Sequence, residues 1–231
     1  MNELTEYEET DVTNIIADSI PDADPTDIFV FLMGPYRLLD PSYLYPDRGY
    51  PLPSDPLAPT ADEVAPDKIE ATLRTISRRV SEETATTAFI ASDVQIPTKQ
   101  EVVRNDLDEL GMAVIDQSVA FAEASDGNAF IFTKAGLTTG TGAEAGAIPE
   151  HFQLRSRDDR ERDPRTFAIL AEAEKSTNGT NTYDPKFSSA SIDEMDDAYD
   201  LRFKYFTDRE DLIDKIVDFI ESYVVPMSDT P

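Results

Sequence analysis

Apolar residues along the chain gather in short dense runs, and the runs alternate with stretches of a different rhythm. Ile28-Phe-Val-Phe-Leu-Met33 is unbroken and ends at Gly34-Pro35. Thr86–Ala91, Asn128–Thr133, Thr166–Ala171 and Leu201–Phe206 form similar runs. Runs of this length suit strands buried on both faces of a parallel sheet. Between them the spacing turns helical. Ile69, Leu73, Ile76 and Val80 recur every three or four residues, one apolar stripe, with Pro66 placed for a first helical turn. Thr98-Lys-Gln-Glu101 is a capping box. Helical periodicity follows it to about Ala124, with a break near Gly111. A further helix is expected to start near Ala143. Thr207-Asp-Arg-Glu210 reads as a second capping box. It precedes the clearest amphipathic pattern, Leu212, Ile213, Ile216, Val217, Ile220, Tyr223 and Val224.

Strands alternating with helices predict an α/β fold. The expected form is flavodoxin-like or Rossmann-like and doubly wound, with a five-stranded, mainly parallel sheet and helices on both faces. The expected organisation is an acidic, flexible arm over residues 1–26, one α/β domain over 27–225 and a flexible tail over 226–231. A short helix around Asp11–Ile20 fits within the arm. Residues 35–66 are set apart, because seven prolines fall between Pro41 and Pro66, interleaved with tyrosines. That density prevents helix and interior strand, so a loop or lid is expected there. Residues 155–165 hold five Arg among four acids and read as a solvated, internally paired loop.

Composition narrows the partners. The 231 residues carry 47 Asp and Glu against 20 Lys and Arg, a formal charge of −27. Such a field repels polyanions and anionic lipid surfaces, so neither a nucleic-acid polymer nor a membrane is expected as partner. No stretch approaches 18 apolar residues, and Met1–Asp27 carries nine acids and no Lys or Arg. That is unlike a signal peptide, and a cytoplasmic location is expected. The acids are spread along the chain, and Lys is outnumbered by Arg 7 to 13. A uniformly acidic, Lys-poor surface suits a salt-filled cytoplasm, where screening removes self-repulsion. Cysteine is absent and His151 is the only histidine. Thiolate chemistry and His- or Cys-based metal sites are thereby excluded, and no motif calls for a metal or cofactor.

Two features fall at strand carboxyl ends, where doubly wound sheets bind ligands. One is Met33-Gly34-Pro35-Tyr36. The other is Thr139-Gly-Thr-Gly-Ala-Glu-Ala-Gly146, after the third strand. It is neither a P-loop nor a dinucleotide fingerprint, lacking Lys-Ser/Thr and the required spacing. Glycines there admit a ligand to the backbone, and a helix start offers free N–H groups. The same string also fits an acid placed favourably at a helix start among small packing residues. His151 lies seven residues beyond Glu144, too far along a helix for a direct pair.

The order of these features resembles the nucleoside 2-deoxyribosyltransferase family and related deoxynucleotide N-glycosidases. It runs from a first strand ending in Gly34-Pro35, through a helix ending in Ala124-Ser125-Asp126 and a strand, to Gly140-Thr141-x-x-Glu144-x-Gly146. The resemblance spans roughly Ile28–Ile148. It implies Glu144 as a nucleophile that attacks the anomeric carbon of a nucleoside and expels the base. It implies Gly34 and Pro35 on the sugar or phosphate side, with Gly140, Thr141 and Gly142 bringing backbone and hydroxyl close. Tyr36 is placed to stack on a base, and Lys134 to contact a phosphate. The family's acid after the third strand is missing, since Thr133-Lys134-Ala135-Gly136 stands there. Asp93, after the second strand, is the remaining candidate acid, or a surface carboxylate like the others. A homo-oligomer is implied by the resemblance alone. Three readings stay open: an N-glycosidic hydrolase or transferase acting on a small nucleoside or nucleotide, a non-catalytic nucleotide sensor, and a protein-interaction scaffold.

Overall fold

The computed structural model describes residues 4–34, 66–133, 139–156, 161–175, 183–185 and 190–228. A two-stranded hairpin, β1 (Glu6–Tyr7) and β2 (Thr10–Asp11), leads into α1 (Val12–Ser19). The body then runs β3 (Phe29–Met33), α2 (Pro66–Glu83), β4 (Thr87–Phe89), α3 (Lys99–Asn105), α4 (Val114–Glu123) and β5 (Gly127–Phe132). It continues with α5 (Thr139–His151), β6 (Phe167–Lys175), β7 (Tyr183–Pro185), α6 (Ala190–Tyr199), β8 (Arg202–Phe206) and α7 (Arg209–Phe219). A π-helical turn, Ile220–Val224, carries α7 into the final helix α8 (Val225–Ser228).

Five strands pair in parallel in the order β4-β3-β5-β6-β8, and β7 adds antiparallel to the far end of β6. Counting the parallel strands along the chain, the order is 2-1-3-4-5, the flavodoxin-like doubly wound arrangement. β3 shows why both faces are covered. Phe29, Phe31 and Met33 point into one core with α1, α4 and α5, while Val30 and Leu32 point into another with α2 and α7. All five are buried. Each large side chain so buried contributes about 2 kcal/mol. The stripe Leu73, Ile76 and Val80 and the face Leu212, Ile213 and Ile216 are fully buried, as their spacing requires.

Some expectations need correction. Residues 12–19 are not a loose arm, because Val12, Ile16 and Ala17 are buried in the first core and α1 packs there. The acids that precede α1 in sequence overshadowed its short apolar stripe. At the other end, residues 226–228 are helical, and the Ser228 hydroxyl donates to Val224 O at 3.1 Å. The second capping box is shifted by one residue. Asp208 caps α7 by accepting from Asp211 N at 3.0 Å, and Asp211 accepts in return from Thr207 N at 2.9 Å. The first is as expected, Thr98 Oγ1 accepting from Glu101 N and Thr98 N donating to Glu101. The break near Gly111 is a left-handed residue (φ +61°), where a Cβ would lie 2.9 Å from the Lys99 nitrogen. The proline-rich segment 35–65 lies outside the described residues.

Candidate functional site

Helices after β3 and β5 depart to opposite faces of the sheet, α2 into one core and α5 into the other. Doubly wound sheets take ligands at the strand carboxyl ends where two such helices diverge. Gly34 stands at the end of β3. A Cβ there would meet the Leu73 methyls at 3.3 Å, a tight contact that glycine avoids where strand packs on helix. Pro35, Tyr36 and Lys134 lie outside the described residues.

Helix α5 starts at Thr139, four residues earlier than expected. Its core-facing positions are Thr141, Ala145 and Ile148, all buried. The hydroxyl of Thr141 is buried with no hydrogen-bond partner among the described residues, an uncommon state for a buried polar group. Gly140 precedes it in the first turn. An added Cβ at Gly142 or Gly146 would touch nothing within 4 Å. Packing among the described residues therefore gives no steric reason for glycine at either place, and Gly142 is exposed among them.

Glu144 is half-buried and turned toward α4, where the Ser118 hydroxyl donates to its Oε1 at 2.7 Å. The same hydroxyl lies 3.2 Å from the Val114 carbonyl, so one proton serves two acceptors. Ser118 is 2% exposed, and its donor is fixed by the helix that carries it. Sequence reasoning missed it. The available signal was a polar pair, Gln117-Ser118, inside an otherwise apolar helical face. Gln117 is accounted for separately, since its amide donates to Ile96 O at 2.6 Å.

Asp93 sits in a short 3-10 turn after β4, the edge strand. Arg74 Nε donates to its Oδ1 at 2.7 Å and Ile90 N to its Oδ2 at 3.1 Å. Both oxygens are engaged locally, at the edge strand and not at the β3–β5 switch point. His151 pairs with Glu123 at 2.9 Å, at the opposite end of α5 from Gly140.

Arg162 departs from the solvated reading of the arginine-rich loop. Its guanidinium donates to the carbonyls of Glu123 and Ser125 at the carboxyl end of α4, and lies over the Phe152 ring. Burial pushes its pKa down, opposed by the charges of Asp126 and Glu123. It closes a helix terminus whose last carbonyls have no partner within the helix.

A separate cleft of about 360 Å³ lies at the far edge of the sheet, lined by Asp200, Leu201, Arg202, Phe203, Lys204 and Tyr223. Among the described residues, no three His, Asp or Glu side chains gather as a metal site, and no helix is long and apolar enough to cross a membrane.

No curated protein and no solved structure matches the chain. A family model does, over residues 13–227, from α1 through the last helix. The chain belongs to the family described as a domain of unknown function, DUF7509.

Proposed function

We propose that the protein cleaves or exchanges the N-glycosidic bond of a nucleoside or nucleotide, with Glu144 as nucleophile. The observation that carries this reading is a half-buried carboxylate on the helix after the switch-point strand, held by a buried serine. A carboxylate so placed can attack an anomeric carbon as the C–N bond to the base breaks, leaving a glycosyl ester. The base leaves with the bonding pair and takes up a proton from solvent. Water, or a second base, then attacks the anomeric carbon and gives up a proton to solvent as the carboxylate departs. Ser118 orients Glu144 for the first step. In this reading the exposed Gly142 and the first turn of α5 meet the sugar or its phosphate, with Gly34 across the switch point. Asp93 does not supply the proton, because Arg74 and the Ile90 amide hold both of its oxygens.

The test is incubation with nucleosides, deoxynucleotides and NAD in molar KCl, following release of free base. Release by the wild type and its loss in Glu144→Ala support the reading, and equal release by both overturns it. The engagement of Asp93 favours a second reading, a nucleotide-binding module without turnover. Stabilisation by a nucleotide with no base released distinguishes it.

The high-salt cytoplasmic setting belongs to the same proposal. A charge of −27 self-repels until ions screen it, so thermal stability is expected to rise with KCl.

A further inference from the structure

Large apolar side chains are kept off the described surface with one local exception. The exposed ones, Val103, Leu107, Leu110, Val114 and Ile115, all fall between the middle of α3 and the start of α4. Val103 is 83% exposed and Leu110 79%. The segment that carries them is folded, not loose. Lys99 N donates to Met112 O at 2.8 Å and Met112 N to Pro97 O at 2.9 Å. Leu110 N reaches Glu8 and Gly111 N reaches Tyr7, so the N-terminal hairpin holds the loop from behind. An ordered surface that concentrates its apolar groups in one place marks an interaction site.

The charges around it carry the same message. Arg74, Arg78, Arg79, Arg155, Arg165, Arg202, Lys204, Arg209 and Lys215 each meet a carboxylate within ion-pair distance. Lys99 and Arg104, both exposed on α3, have no such partner among the described residues. Asp106, Asp108 and Glu109 follow directly, also exposed. In a chain so acidic, two unpaired cations beside three acids and five exposed aliphatics form a patch with both signs, complementary to itself.

We propose that this face joins two copies of the chain about a two-fold axis through Val103. In such an isologous contact, residue i meets j and j meets i. An antiparallel pairing of α3 centred on Val103 sets Lys99 of one copy against the Asp106–Asp108 stretch of the other, and brings the two valines together. Leu107, Leu110 and Val114 complete the apolar seam. This contact is independent of the chemistry at Glu144.

Salt sets the direction of the test. Two bodies of charge −27 repel over the rest of their surfaces, and screening removes that cost while leaving apolar contact in place. Sedimentation of the full chain at low and molar KCl, with light scattering, is expected to show a dimer that tightens as KCl rises. Val103→Glu and Leu110→Glu, both at exposed positions, are expected to weaken it about tenfold or more each, with far-UV circular dichroism unchanged. A monomer at every salt concentration overturns the proposal. So does a dimer indifferent to both variants, or one that dissociates as KCl rises.

Discussion

Removing the Arg162 side chain tests how the lower end of α4 is held. Arg162→Ala takes away two charge-assisted hydrogen bonds to the Glu123 and Ser125 carbonyls and the contact over Phe152. Hydrogen bonds to a charged group contribute about 1.5–3 kcal/mol each, so the intact pair amounts to roughly 3–6 kcal/mol. Arg162 is half-buried, and water can reach part of the vacated space, which lowers the expected loss to about 2–4 kcal/mol. For a chain of this length each kcal/mol moves the thermal midpoint by about 2–4 °C, giving a drop of roughly 5–15 °C. Arg162→Lys keeps the charge but not the fork, and is expected to lose about half as much. The measurement is thermal and urea unfolding in molar KCl, where the general effect of one charge is screened. Amide exchange should rise at the end of α4 more than in α7. A loss under about 1 kcal/mol for both variants, or equal exchange at the two helices, would show that Arg162 does not hold the end of α4.

Other outcomes can be checked in the same preparations. Gly127→Ala brings a Cβ within 2.7 Å of Val224 Cγ2, and is expected to cost about 1–3 kcal/mol in urea unfolding, partly restored by Val224→Ala. Thr98→Ala removes the cap of α3 and should cost about 1 kcal/mol by the same assay. Burial, and the bond its hydroxyl donates to Glu150, raise the pKa of Tyr199. A phenol raised on folding adds stability below about pH 10 that is lost as pH climbs through the folded value. Alkaline titration followed by tyrosinate absorbance should show a late-ionising group that Tyr199→Phe lacks. If Glu144 is the nucleophile, Ser118→Ala should lower the rate of base release more than it changes KM, because it removes the hydroxyl bonded to Glu144 Oε1 and leaves the proposed sugar contacts in place.

The sheet was legible because a strand covered on both faces must be apolar throughout, as Phe29–Met33 and Gly127–Phe132 nearly are. The main helices were legible for the corresponding reason, a stripe at helical spacing such as Leu73, Ile76 and Val80. What stayed hidden was decided by groups distant in sequence. Val12 and Ile16 look like part of an acidic arm until the first core is in place to receive them. Arg162 looks solvated among its neighbours, and only the end of α4, 37 residues earlier at Ser125, gives it a role. The site divides the same way. Glu144 was marked by its position after a strand among glycines. Its partner Ser118 lies 26 residues away, and nothing local in the sequence ties the two together.

The claim that Glu144 is a nucleophile is tested most directly by catching what it forms. The full chain, incubated with a nucleoside from which it releases base and quenched in acid, is analysed by intact and peptide mass spectrometry. The account expects a mass increase of one glycosyl residue, carried by the peptide that contains Glu144 and absent from Glu144→Gln. Base release with no adduct, or an adduct on another residue, would contradict it.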